Sequence, residues 1–241
     1  MSQTVETEEK RLKFGNAELD RRIGGIPMPS LSLIEGANDS GKTALAQQFA
    51  YGVVSNGYKL LYLTTEDSVT SVLKNMYSLN WDVSDYYITG KMKITSINLP
   101  NTVWEPQESK YYLTTLSNYL RRKIAGFDYA IVDSLTQLVT HAELTDVLDF
   151  FSQCRKIVDK ENKSFALTIH PYALTVEHTT RMRSFCDGQF LLEKKIFRDR
   201  NVLALTVLKL KGASKAGGEM ITFEISPAYG IKILPFTSTR G

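Results

Sequence analysis

Residues Gly36-Ala37-Asn38-Asp39-Ser40-Gly41-Lys42-Thr43 carry the most specific chemistry in the chain. The pattern Gly-x-x-x-x-Gly-Lys-Thr builds a turn whose backbone N–H groups, with the positive end of the helix that follows, surround a phosphate chain. Gly36, Asn38, Asp39, Ser40 and Gly41 would form the cradle. Lys42 would contact the β- and γ-phosphates as a point charge facing the ligand and not the core, and the Thr43 hydroxyl would ligate a magnesium ion bridging those phosphates. The predicted ligand is Mg-ATP. With ordinary residue usage such a pattern arises by chance about once in a hundred chains of this length. Asp39 is unusual, since phosphate loops favour small neutral residues there, and its carboxylate is expected to point outward.

Further candidates stand at the ends of apolar runs. Asp133 follows Tyr129-Ala130-Ile131-Val132, and a carboxylate at the carboxyl end of a buried parallel strand faces the ligand crevice. It is therefore predicted to bind magnesium through water. Aspartates also cap helices in that position, and the phosphate loop decides for the metal. Glu66 and Asp67 follow Leu60-Leu61-Tyr62-Leu63-Thr64. Glu66 is a candidate weak general base toward water attacking the γ-phosphate; the alternative is that Thr65-Glu66-Asp67 caps the next helix. His170, ahead of Pro171, either senses the γ-phosphate or holds a turn. Lys209 and Lys211 close the last long strand before Gly212, where they reach an anionic ligand or form solvated surface.

These residues need a scaffold that brings strand ends together. Leu31-Ser32-Leu33-Ile34 reads as a strand into the glycine loop, and Thr43 to Val54 as a helix with few breakers. Leu60 to Thr64 and Met92 to Ile97 read as strands separated by a helix from about Ser68 to Leu79, and a polar loop with Pro100 and Pro106 is expected to be exposed. Helix is predicted again over Glu108 to Ile124, followed by the strand ending at Asp133. Leu144, Val147, Leu148, Phe151, Cys154 and Val158 make one apolar stripe at helical spacing, which assigns Cys154 to the core. Ser164 to Ile169 is another buried strand. Alternation of strand and helix to this point predicts an α/β fold with a mainly parallel sheet flanked by helices. After Gly188 the pattern changes: Gln189–Phe197 and Val202–Leu210 around the turn Arg198-Asp199-Arg200-Asn201, then Met220–Ile225 and Gly230–Leu234, predict an antiparallel extension.

Composition is consistent with one domain, 13–241, behind a flexible tail, 1–12. The chain has 241 residues and a formal charge of +3, so it lacks the basic field of a dedicated nucleic-acid binder. Its two cysteines and three histidines are too scattered for a disulfide framework or a metal cluster, which points to a reducing, cytoplasmic setting. Any membrane association is expected to run through partners, because no long uncharged apolar run is present.

Ordered motifs between Phe14 and Pro235 carry a resemblance. They are Leu19-Asp20 with Gly24-Gly25-Ile26-Pro27, the phosphate loop, Leu61-Tyr62-Leu63-Thr64-Thr65-Glu66-Asp67-Ser68, Ile131-Val132-Asp133-Ser134-Leu135-Thr136, and Val207-Leu208-Lys209-Leu210-Lys211-Gly212. In these the chain resembles the KaiC and RadA branch of RecA-like ATPases, and within it the ATP-binding proteins of the archaeal swimming filament, the archaellum. The resemblance implies that Glu66 matches the first residue of the acidic pair supplying the base in active relatives, while Asp67 departs from the second. It implies too that Lys209 and Lys211 match a Lys-x-Arg element that touches a neighbour's nucleotide across a hexameric ring. Lysine lacks the planar fork of arginine, so clamping should be weaker. Both departures favour an ATP-gated structural switch over a fast enzyme. Implied partners are the motor ATPase FlaI and membrane-associated ring components, with cytoplasmic placement peripheral to the membrane. Two alternatives share the core: an active KaiC-like signalling ATPase, and a RadA-like recombinase paralogue acting on DNA. Against the latter, no added helical domain and no long glycine- and arginine-rich loop between Asp133 and His170 is found.

Overall fold

The computed structural model describes residues 10–99, 104–197, 200–212, 218–227 and 229–235. Arg11–Leu12 (β1) pairs antiparallel with Ile26–Pro27 (β2). Between them runs α1 (Ala17–Ile23), capped by the Asn16 side chain accepting from Leu19 N and closed by Gly24 in the left-handed region. The expected flexible tail is thus wrong at its end. Leu12 is buried, and the Arg11 guanidinium donates to the carbonyls of Gly24, Gly25 and Gly212. Residues 1–9 lie outside the described residues.

The core begins with β3 (Leu31–Gly36), α2 (Lys42–Ser55), β4 (Leu60–Thr64), α3 (Val69–Ser78), α4 (Ser84–Ile88) and β5 (Met92–Ser96). It continues through α5 (Pro106–Lys123), β6 (Tyr129–Asp133), α6 (Thr136–Thr140), α7 (Leu144–Glu161), β7 (Ser164–Ile169) and α8 (Val176–Ser184). Four strands end the chain: β8 (Gly188–Phe197), β9 (Arg200–Leu210), β10 (Met220–Ser226) and β11 (Gly230–Ile233). Among the described residues they form a nine-stranded sheet in the order β11-β10-β9-β8-β3-β7-β6-β4-β5. From β8 to β5 every pairing is parallel, and β8 to β11 pair antiparallel, as the change in pattern after Gly188 predicts.

The parallel interior follows from composition. β3, β4, β6 and β7 are buried along their whole length, because helices cover both faces, whereas the edge strand β5 mixes buried and exposed positions. One face packs on α2 and α3 through Leu45, Phe49, Val53, Val72 and Met76. The other packs on α5 and α7 through Leu113, Leu116, Phe151, Cys154 and Val158, which confirms Cys154 as core. α2 is buried nearly all round, as expected of a helix enclosed between sheet and C-terminal strands.

The polar loop before α5 differs from expectation where it is described. Trp104 is buried and stacks on Tyr112 with ring centroids 4.7 Å apart, and Pro106 is the first residue of α5 behind a Glu105/Glu108 capping box. Pro100 lies outside the described residues, as do Arg198 and Asp199 of the last predicted turn.

Candidate functional site

The loop Gly36–Thr43 joins the carboxyl end of β3 to the amino end of α2. Gly36 carries no side chain for a steric reason: a Cβ there would stand 2.3 Å from the Ser40 hydroxyl and 2.8 Å from the Leu192 carbonyl. Gly41 has φ +91°, a conformation that L side chains rarely adopt. The loop therefore turns tightly and delivers the first turn of α2 with no side-chain cap on its N–H groups. Asp39 takes φ 52° and points to solvent, as expected, 3.3 Å from the exposed Lys194. A pair this exposed contributes little.

Carboxyl ends of β3, β4, β6 and β7 open on one cavity of about 530 Å³, lined by Asn38, Asp39, Gly41, Lys42, Thr43, Glu66, Asp133, Ser134 and His170. Lys42 is 7% exposed, more enclosed than a lysine turned toward its ligand should be, because its ammonium folds back and donates to the Ala37 carbonyl at 2.8 Å. Burial lowers its pKa, against the carboxylates of Glu66, Asp133 and Asp39. Asp133 is buried; its Oδ2 accepts from the Tyr62 hydroxyl at 2.8 Å and its Oδ1 from Thr168 at 2.7 Å. Burial raises the Asp133 carboxyl, while hydrogen bonds from Thr168, Tyr62 and Thr43 favour its ionised form. A hydroxyl and a carboxylate on one cavity wall are the hard oxygen donors that magnesium takes.

Glu66 reaches the same cavity from the end of β4, and its Oε1 accepts a hydrogen bond from the Ser134 hydroxyl at 2.6 Å. Thr65 does not cap α3; Ser68 does, accepting from Ser71 N. His170 is buried with its Nδ1 unpartnered, and its main-chain N–H donates to Thr136 Oγ1 at 3.1 Å. Burial first and then the Lys42 cation lower its pKa, against the Glu66 carboxylate.

Lys209 and Lys211 stand elsewhere. Lys209 pairs in register with Gln189, one residue from the position where β8 meets Ser32 at the amino end of β3. The phosphate loop leaves the other end of that strand. Lys209 donates to the Cys186 carbonyl at 2.8 Å, and Lys211 lies 3.8 Å from Asp187. Contact with this chain's own phosphate site is excluded by that placement. Sequence reasoning did not single out Tyr62, Thr168, Ser134 or Thr136 as part of the site. The available signal was polar residues inside otherwise apolar strands, as at Tyr62 and Thr168.

A glycine loop between a buried parallel strand and an enclosed helix, with Asp133 at a neighbouring strand end, defines a RecA-type phosphate-loop fold. The model of the family described as "ATPase: KaiC" matches residues 12–238, and the chain belongs to that family. It is similar to the archaeal flagellar ATP-binding protein FlaH of Sulfolobus acidocaldarius, 31% identical over 95% of this chain and 99% of that protein. The crystal structure of the flagellar accessory protein FlaH of Methanocaldococcus jannaschii superposes with a TM-score of 0.79 at 26% identity, covering 95% of this chain and all of that one. The circadian clock oscillator protein KaiC of Rippkaea orientalis is 27% identical over 90% of this chain, which spans 42% of that protein's length.

Proposed function

We propose that the chain is the Mg-ATP-binding, ring-forming subunit of an archaellum motor, using bound ATP as a structural switch with slow or absent hydrolysis. The observation that supports it best is the convergence of the phosphate loop, Asp133 and Glu66 on one cavity, in a chain similar to FlaH over nearly its full length. In this reading the loop amides and the start of α2 hold the phosphates, and Lys42 leaves the Ala37 carbonyl to contact them. Magnesium, when bound, neutralises charge between the phosphates. Thr43 would hold it directly and Asp133 through water, since both Asp133 oxygens already accept hydrogen bonds from hydroxyls.

Lys209 and Lys211, which lie away from this chain's own phosphate site, then serve a neighbour's nucleotide across the ring; the alternative is a solvated strand end. Among the described residues no helix is long and apolar enough to cross a membrane. Placement at the membrane therefore runs through partners, of which the motor ATPase FlaI and membrane-associated ring components are the candidates, with the chain itself cytoplasmic. The test is sedimentation with ATP, ADP or no nucleotide, for wild type and Lys209→Ala/Lys211→Ala, beside steady-state phosphate release. A ligand touched by two subunits in the ring and one in the monomer must favour the ring. Wild type should assemble best with ATP, the double variant should not, and turnover should fall far below about ten per second. Assembly indifferent to nucleotide removes the switch; ordinary turnover, abolished by Glu66→Gln, moves the chain to the active KaiC-like class.

A further inference from the structure

We propose that Ser134 is a positioning residue that holds Glu66 in a resting state and so keeps hydrolysis slow, an inference that rests on the Mg-ATP reading above. Hydrolysis requires the oxygen of a water to bond the γ-phosphorus as the bond to the bridging oxygen of ADP breaks. The water's proton must meanwhile pass to a carboxylate with a free lone pair facing it. Glu66 is the acidic side chain from the β4 end that reaches the cavity, and its Oε1 is taken by the Ser134 hydroxyl at 2.6 Å. A charge-assisted hydrogen bond of that length is among the stronger kinds and holds the carboxylate in one orientation.

The main chain that carries the donor is fixed. Ser134 is 1% exposed, and its backbone is stitched on both sides: Thr65 Oγ1 donates to its carbonyl at 2.9 Å, and its N–H donates to Thr65 Oγ1 at 3.1 Å. Neighbouring main chain is fixed as well, with Thr65 N donating to Asp133 O at 3.0 Å and Leu135 N to Thr168 O at 2.9 Å. Glu66 is the exposed, movable partner. The single proton of Ser134 also has a second acceptor, Thr136 Oγ1 at 3.0 Å, so releasing Glu66 leaves no orphaned donor. That second acceptor takes the main-chain N–H of His170, whose ring lines the same cavity. Ser134 thus has two settings, bonded to Glu66 with the base engaged, or to Thr136 with the base free.

The experiment measures steady-state phosphate release by full-length Ser134→Ala, Ser134→Cys, Glu66→Gln and Ser134→Ala/Glu66→Gln, each with an ATP titration and a thermal melt. Loss of a hydrogen bond to a charged group should raise kcat for Ser134→Ala on the order of tenfold, with KM for ATP unchanged. Ser134→Cys, with a weak thiol donor of similar shape, should fall between and carries the comparison if the alanine variant does not fold. The gain should vanish in the double variant. A purely structural role would lower the melting temperature without raising kcat. Unchanged or reduced kcat in variants that still bind ATP overturns the proposal and leaves the Mg-ATP reading intact. Wild type that fails to bind Mg-ATP overturns both.

Discussion

The two ends of the parallel sheet treat buried charge in opposite ways. At the carboxyl ends, Asp133 has hydroxyl partners, Tyr62, Thr168 and Thr43. At the amino ends, Asp187 accepts from the Leu31 N–H at 3.0 Å, is paired with the Arg155 guanidinium and lies 3.8 Å from Lys211. A buried carboxylate without a cation contact is costly. The one at the amino end is matched by the chain's own cations, whereas the one at the carboxyl end has hydroxyl partners and room for a cation from outside.

Three variants test that contrast, from the largest expected effect to the smallest. Lys42→Ala should lower ATP affinity by roughly a hundredfold or more, because it removes the only lysine of the cradle. Its melting temperature without nucleotide should stay within a few degrees of wild type, since the lost bond is a single contact to the Ala37 carbonyl. Wild-type affinity, measured by calorimetry, would refute the site.

Asp187→Ala probes the other end. It leaves the Leu31 N–H without its acceptor and the half-buried Arg155 with Asp159 alone, which should cost about 2–3 kcal/mol and lower the melting temperature by about 5–10 °C. ATP affinity of the folded variant should be unchanged. A loss of binding without loss of stability would reverse the roles assigned to the two ends.

Asp133→Asn sharpens the comparison at the ligand end by removing charge and keeping shape. Magnesium-dependent ATP binding should weaken about tenfold as a charge that fixes the ion is lost. Stability without nucleotide should hold or rise slightly, because a neutral amide escapes the burial that raises the Asp133 carboxyl and can still bond both hydroxyls. Destabilisation as large as that of Asp187→Ala would show that Asp133 is structural. Equal binding with and without magnesium would remove its metal role.

Residues close in the chain made the phosphate site legible. The glycine loop, the strand before it and the helix after it are adjacent, and their chemistry depends on backbone that only these neighbours shape, so periodicity and turn residues suffice. The long buried strands and the change to antiparallel pairing after Gly188 were readable for the same reason. Short elements were not: α1, α4, α6 and α8 offer too few turns for a period to register, and β1 reads as a polar tail until Leu12 is seen to be buried. Glu66 and Ser134 are 68 positions apart, and their hydrogen bond exists because β4 and β6 lie side by side in register, Thr64 opposite Asp133. Lys209 and Lys211 likewise carry no mark of which end of the sheet they occupy; the antiparallel return of β9 along β8 decides it. Local sequence thus determined the backbone that can grip a phosphate. Strand order and register, set by the burial of both sheet faces, decided which carboxylates face it and which cations stand at the opposite end of the sheet.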